Sequence, residues 1–214
     1  MMSEEVLLTT AYFPPAEYFS LIAGSRVVKI EKHENYAKQT YRNRCMILGS
    51  NGPLPLIVPV LQGSFHKTAL KDLRIDNGRP WRELHLRSIV TSYASAPFFE
   101  YYYDVIASVI SGRYTFLLDL NNEALRVMCE AAGLKAGISY TDEFVKPGTA
   151  QDDYRYTITP KKPSVISSYM AVPYTQVFGE RHGFVARMSI IDVLLNNGPG
   201  TGALLLRSLE MPES

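Results

Sequence analysis

The hydrophobic pattern of this chain changes character along its length, and that change restricts the fold more than any other feature. Short strand-like runs come first. Val6 to Tyr12 is an apolar run stopped by Pro14-Pro15, and Arg26 to Lys32 alternates as a second strand. Between them Ala16 to Ala23 has helical spacing, with Tyr18, Phe19 and Ile22 on one side. Tyr41 to Leu48 and Leu54 to Val60 are also strand-like. They are joined by Gly49-Ser50-Asn51-Gly52, and Asn-Gly is the strongest short hairpin signal. The middle is helical. Pro80 fits position N1 of a helix to about Ala94, Pro97 opens a second from Phe98 to about Ser111, and Asn121 or Asn122 caps a third ending at Gly133. Strands are expected again at Gly137 to Tyr140 and Tyr154 to Ile158. A Ser189–Asp192 capping box starts a helix within Met188 to Leu195, Gly198-Pro199-Gly200 ends it, and a last helix runs from about Thr201 to Leu209. Strands, then helices, then both predict an α/β (or α+β) fold: a mixed sheet with a hairpin and several packed helices. No repeat or linker interrupts the pattern, so residues 1–214 read as one domain.

Composition narrows the function classes. With 46% hydrophobic and 20% charged residues, 214 residues can bury a substantial core. The formal net charge of +1 gives no overall field toward nucleic acid or an anionic membrane. No apolar stretch reaches about 18 residues, so no membrane span is expected. Met1 to Glu5 lack the basic-then-apolar opening of a signal peptide, and a cytoplasmic location is expected. Cys45 and Cys129 make no ligand spacing and read as reduced, buried thiols. The four histidines form no metal motif, so neither metal nor other cofactor is expected. Fourteen tyrosines against one tryptophan point to half-buried hydroxyl-bearing rings, which suit a sugar site and an ordinary α/β interface equally.

The best local candidate for binding is Lys38 with Arg42-Asn43-Arg44. On a strand Arg42 and Arg44 share a face about 6.5–7 Å apart, and two guanidinium forks at that spacing grip a diphosphate or two carboxylates. Asn43 points the other way. The competing reading is a strand face whose arginines pair with Glu31 or Glu34. His66-Lys67, in a basic loop over Gln62 to Asp72, has the chemistry of an acid/base with an anion clamp, or is simply exposed. Trp81, His85 and Ile89 share a helical stripe, where His85 is either a general base or a hydrogen-bonded core residue. Tyr12, Tyr36 and Trp81 stack on a sugar or base, or pack in the core.

Five stretches, in order, carry a resemblance. They are Ala11-Tyr12-Phe13-Pro14-Pro15 through Tyr18-Phe19; Asn35-Tyr36 with Lys38-Gln39 through Arg42-Asn43-Arg44; Leu56 to Val60; Trp81 with His85, then Tyr93 and Pro97-Phe98-Phe99; and Gly183-Phe184 with Ser189-Ile190-Ile191-Asp192 through Asn197-Gly198-Pro199. Jointly they resemble the WbqC-like family. The resemblance implies a bacterial protein of O-antigen or other surface-polysaccharide assembly, with transfer of a glycyl or similar unit to a sugar as its proposed activity. The family's usual Gln-Pro opening is replaced by Thr10-Ala11, which places the substrate in question. The expected partner is an anionic small molecule, a nucleotide sugar or an activated acyl or aminoacyl donor. Two further readings stay open: a non-catalytic nucleotide- or glycan-binding protein, and a scaffold using Phe98, Phe99 and Tyr101 to Tyr103.

Overall fold

A computed structural model describes residues 3–61, 68–163 and 166–209. It begins with a parallel unit. Strand β1 (Ser3–Thr9), helix α1 (Ala16–Ala23) and strand β2 (Ser25–Glu31) lie in sequence, and β1 pairs in parallel with β2, Val6 beside Val28 and Thr9 beside Glu31. Much later β5 (Gly137–Tyr140) pairs in parallel with the other side of β2, Ile30 beside Tyr140, giving the order β1-β2-β5. The unbroken apolar run of β1 suits a parallel sheet covered on both faces. Val6, Leu8, Val28 and Ile30 are all buried, and α1 is buried along nearly its whole length.

The expected hairpin forms from β3 (Arg44–Gly49) and β4 (Gly52–Ile57), closed by Gly49 opposite Gly52. It starts three residues later than the sequence pattern indicates. Tyr41–Asn43 form a 3-10 turn, because Arg42 is drawn inward to Glu34 instead of lying along the ladder. The second departure is at Tyr154 to Ile158. This segment is not a strand; its pairing is reduced to one parallel bridge, Leu7 to Asp153, beyond which Arg155 turns into the interior.

Helices α2 (Trp81–Tyr93), α3 (Phe99–Ser111) and α4 (Leu117–Ala131) form the helical middle. Pro80 is the N-cap of α2, one position earlier than expected. Asn121 and Asn122 lie inside α4 and do not cap it: the buried Asn121 side chain donates to the Arg42 carbonyl at 2.8 Å, a tertiary use of an amide that cap preference does not foresee. On α3, Ile106, Val109 and Ile110 are buried, while Tyr101 is exposed and Phe99, Tyr102 and Tyr103 are half-buried against the core.

A four-residue helix, α5 (Gly179–His182), is too short to leave a periodic signal. Helix α6 (Ile190–Asn197) and helix α7 (Thr201–Arg207) follow. Ser189 caps α6, accepting from the Ile191 N–H, but the reciprocal half of the capping box is absent. The Ser189 N–H goes to the Met46 carbonyl, and the Asp192 carboxylate is taken by the Tyr93 and Tyr174 hydroxyls and the Gln176 amide. Gly198 ends α6 with φ +52°, and a Cβ there would lie 2.4 Å from the Phe98 ring, so backbone conformation and contact both demand glycine. Among the described residues no helix is long and apolar enough to cross a membrane.

Candidate functional site

In open sheets of parallel strands, ligands bind outside the carboxyl ends, where loops diverge. Here those ends carry a dense buried polar cluster. Glu31, the last residue of β2, is fully buried and has four donors: the His33 N–H (2.7 Å), the Thr141 hydroxyl (2.9 Å), the Val145 N–H (2.8 Å) and Arg155 Nη1 (3.2 Å). Arg155 is also fully buried. It binds Asp153 through Nε and Nη2 at 2.9 and 2.6 Å, and the Val145 carbonyl through Nη1. These bonds pin Thr141, Val145 and Arg155, all from the segment after β5, onto the carboxyl end of β2.

A second pair lies beside it. Glu34 accepts from Arg42 Nε (3.1 Å) and Nη2 (2.7 Å), with both side chains at most 3% exposed, and the Thr9 hydroxyl at the end of β1 donates to the same carboxylate. Two guanidinium groups thus face three carboxylates, Glu31, Glu34 and Asp153. The interior of the site is saturated; what it offers a ligand lies on its rim.

Of the residues singled out from the sequence, Arg42 and Arg44 do not share a strand face. Arg42 is spent on Glu34, the pairing weighed as the alternative, because a buried carboxylate left alone is far costlier than an arginine withdrawn from the surface. Arg44 stays half-buried at the start of β3. Its Nε is shielded from solvent and has no hydrogen-bond partner among the described residues. The ring of Tyr36 is half-buried within reach of the Arg44 charge. Burial raises its hydroxyl pKa, while the Arg44 and Arg42 charges act the other way. Lys38 is exposed. Asn43 is buried and holds the Val58 carbonyl at 2.8 Å. His66 and Lys67 lie outside the described residues.

Tyr12, Trp81 and His85 come together as one buried aromatic group. The Tyr12 hydroxyl lies 3.0 Å from His85 Nδ1, and the Trp81 and His85 rings meet edge-on at 5.1 Å. Neither Tyr12 nor Trp81 presents a face for stacking on a ligand. Burial pushes the His85 pKa down to about 4, the backbone hydrogen bond at Ile57 acting the other way. Above about pH 6.5 the imidazole is neutral in folded and unfolded chains alike, and its contribution is complete. As pH falls from 6.5 to 4, the unfolded chain takes up a proton that the folded chain refuses. The shift therefore removes about 3 kcal/mol of stability across that window. His85→Gln is expected to flatten this part of the profile, measured by urea unfolding from pH 7 to pH 4. A constant offset between wild type and variant over that range would contradict the assignment. Burial also raises both thiols, Cys129 to about 12, leaving them inert.

Three rim aromatics escaped the sequence reading. The Arg155 guanidinium lies 5.7 Å from the centroid of Phe144 and 5.3 Å from that of Tyr156, and these rings are 44% and 54% exposed. Tyr140, at the end of β5, is partly exposed too. Exposed rings seated on a rigid ionic base form a stacking surface. The one sequence signal was the tyrosine count; nothing local marked these positions.

The fold and site define a class: an α/β protein with a polar, aromatic-rimmed site at the carboxyl edge of a short parallel sheet. The comparisons with known proteins are narrower. Residues 10–161 match the WbqC-like protein family, and the chain belongs to it. It is 29% identical over 140 residues to a protein described as uncharacterized, Rv1507c of Mycobacterium tuberculosis. The match covers 64% of this chain and 60% of that relative's length. No solved structure matches.

Proposed function

We propose that this WbqC-like protein is a transferase of bacterial surface-polysaccharide assembly, moving a glycyl, other aminoacyl or acyl unit to a sugar bound at the carboxyl edge of β1, β2 and β5. The observation that carries the reading is the rim itself: Tyr36, Tyr140, Phe144 and Tyr156 supply ring faces, and Arg44, with an unfilled Nε–H, supplies the cation for an anionic donor such as a nucleotide sugar. The exposed Lys38 adds a positive charge four residues before Arg42. The buried pairs Glu34–Arg42 and Glu31–Arg155 position the rim without touching substrate.

A second reading, a non-catalytic nucleotide- or glycan-binding protein, is favoured by one observation. His85, the described candidate base, is neutral and packed in the core, and no described histidine or lysine is hydrogen-bonded to Arg42 or Arg44. His66 and Lys67 are the remaining candidates for acid/base work.

The test has two arms. A thermal-shift panel of nucleotides, nucleotide sugars and aminoacyl-adenylate analogues should contain a compound that stabilises the wild type; at 100 times Kd the gain is about 2.7 kcal/mol, or roughly 5–10 °C for a chain this size. Arg44→Ala should abolish that shift without lowering the ligand-free Tm. Incubation with nucleotide sugars and glycyl donors then separates the readings: turnover supports the transferase, binding without turnover the accessory protein. A panel with no stabilising compound, or an Arg44→Ala variant that responds like the wild type, would sink the donor site.

A further inference from the structure

A second cationic pocket lies elsewhere on the molecule. A cavity of about 300 Å³ is lined by Asn77, Arg82, Ser111 and Arg113, between the first turn of α2 and the turn that joins α3 to α4. Among the described residues Arg82 is fixed in place by neutral groups only. Nε and Nη2 donate to the Gly112 carbonyl at 3.2 and 3.1 Å, and Nη1 donates to Asn77 Oδ1 at 2.9 Å. Its guanidinium sits 4.4 Å over the Trp81 ring. A guanidinium carries five N–H donors, so about two remain unfilled. Gly112 suits this turn: a Cβ there would lie 2.5 Å from the Tyr114 ring, so a side chain at 112 would have to displace that ring.

Arg113 faces the same cavity, exposed, with no hydrogen bond or ion pair among the described residues. Among the described residues neither arginine has a carboxylate partner. Asp76, at the same turn as Asn77, is taken by Arg79 and the Gly78 N–H, and Arg126, across the Tyr114 ring, is held by Glu123 and Glu130. The Arg82 pKa is lowered by burial first, with the Arg113 charge adding to that and Tyr12 and Tyr114 opposing it. Two cations that repel each other, one held rigid, are an arrangement that an anion relieves. The positive end of the α2 dipole acts in the same direction.

We infer that this pocket binds a phosphoryl group, free or as the phosphate of a sugar or nucleotide. Its charge of nearly two matches both guanidinium groups, and its three peripheral oxygens can take the free N–H donors of Arg82, the Arg113 fork and the Ser111 hydroxyl together. A carboxylate would leave one cation uncompensated. The site does not depend on the carboxyl-edge reading, since neither Arg44 nor Lys38 lines it.

Isothermal titration of the full chain, at ionic strength fixed with chloride, tests it with inorganic phosphate, glucose 1-phosphate and acetate. Phosphate is expected to bind at least tenfold more tightly than acetate, and Arg113→Ala to weaken phosphate at least tenfold. Arg113 makes no hydrogen bond or ion pair among the described residues, so its ligand-free Tm and circular dichroism should stay unchanged; Arg82→Lys, which also loosens the Gly112 turn, is the less clean variant. Arg44→Ala should leave phosphate affinity intact, so failure of the rim site does not imitate failure here. Equal affinity for phosphate and its sugar ester identifies a site that reads the phosphoryl group alone, and tighter binding of the ester identifies a sugar-phosphate site; either upholds the proposal. No phosphate binding, acetate binding as tightly as phosphate, or an Arg113→Ala variant that binds phosphate like the wild type would overturn it.

Discussion

Replacing Arg155 with methionine is expected to destabilise the protein by about 3–5 kcal/mol, lowering Tm by roughly 6–20 °C, as measured by urea unfolding and calorimetry. The side chain is fully buried, and its removal leaves Glu31 buried with no cation and frees Asp153 from its fork. Glu31 keeps three neutral donors, from His33, Thr141 and Val145, which keeps the loss within that range. The segment pinned to the end of β2 should loosen at the same time, seen as faster hydrogen exchange at the Val145 N–H. Arg126→Met is the control. Its pairs with Glu123 and Glu130 lie on the exposed face of α4, where solvent screens them, and little or no change is expected. An Arg155→Met variant as stable as that control would refute the buried triad.

The second large effect is at Arg42. Arg42→Met should cost about 3–5 kcal/mol, because it strands Glu34 in the interior. The double variant Arg42→Met/Glu34→Leu should recover most of that loss, since removing both charges removes the desolvation cost as well as the attraction. The cycle therefore yields a coupling energy of several kcal/mol, far above that of a surface pair. A loss in the double variant equal to the sum of the two singles would show that the pair is not coupled. This bears directly on function: activity lost in Arg42→Ala would report a damaged fold, so Arg44→Ala, whose Nε has no hydrogen-bond partner among the described residues, is the informative substitution at the rim.

Much of the scaffold was legible because it rests on local physics. The apolar run of β1, the helical spacing of Ala16 to Ala23 and the Asn51-Gly52 turn each act over a few residues; the helix and the turn formed where their patterns lay, and the strand, expected over Val6 to Tyr12, runs three residues earlier, Ser3–Thr9. The Ser189 cap is of the same kind. The failures share one cause. Asn121 has the character of a cap yet spends its side chain on the Arg42 carbonyl, Asp192 has the spacing of a capping box yet binds two tyrosine hydroxyls, and Arg42 has strand spacing yet turns toward Glu34. In each, a long-range polar partner outweighed a local preference worth about 1 kcal/mol.

What the amino-acid order determined by itself was most of the elements, the inert character of the thiols, the lack of a metal motif and the family. What only the tertiary structure decided was which charges meet: Glu31 with Arg155, 124 positions away, and Arg82 with Arg113 around a cavity that neither α2 nor the turn after α3 forms alone. Periodicity and caps are written over a few neighbouring residues. A buried charge instead finds its partner through the packing of the whole chain, because only there does the loss of water make that partner necessary.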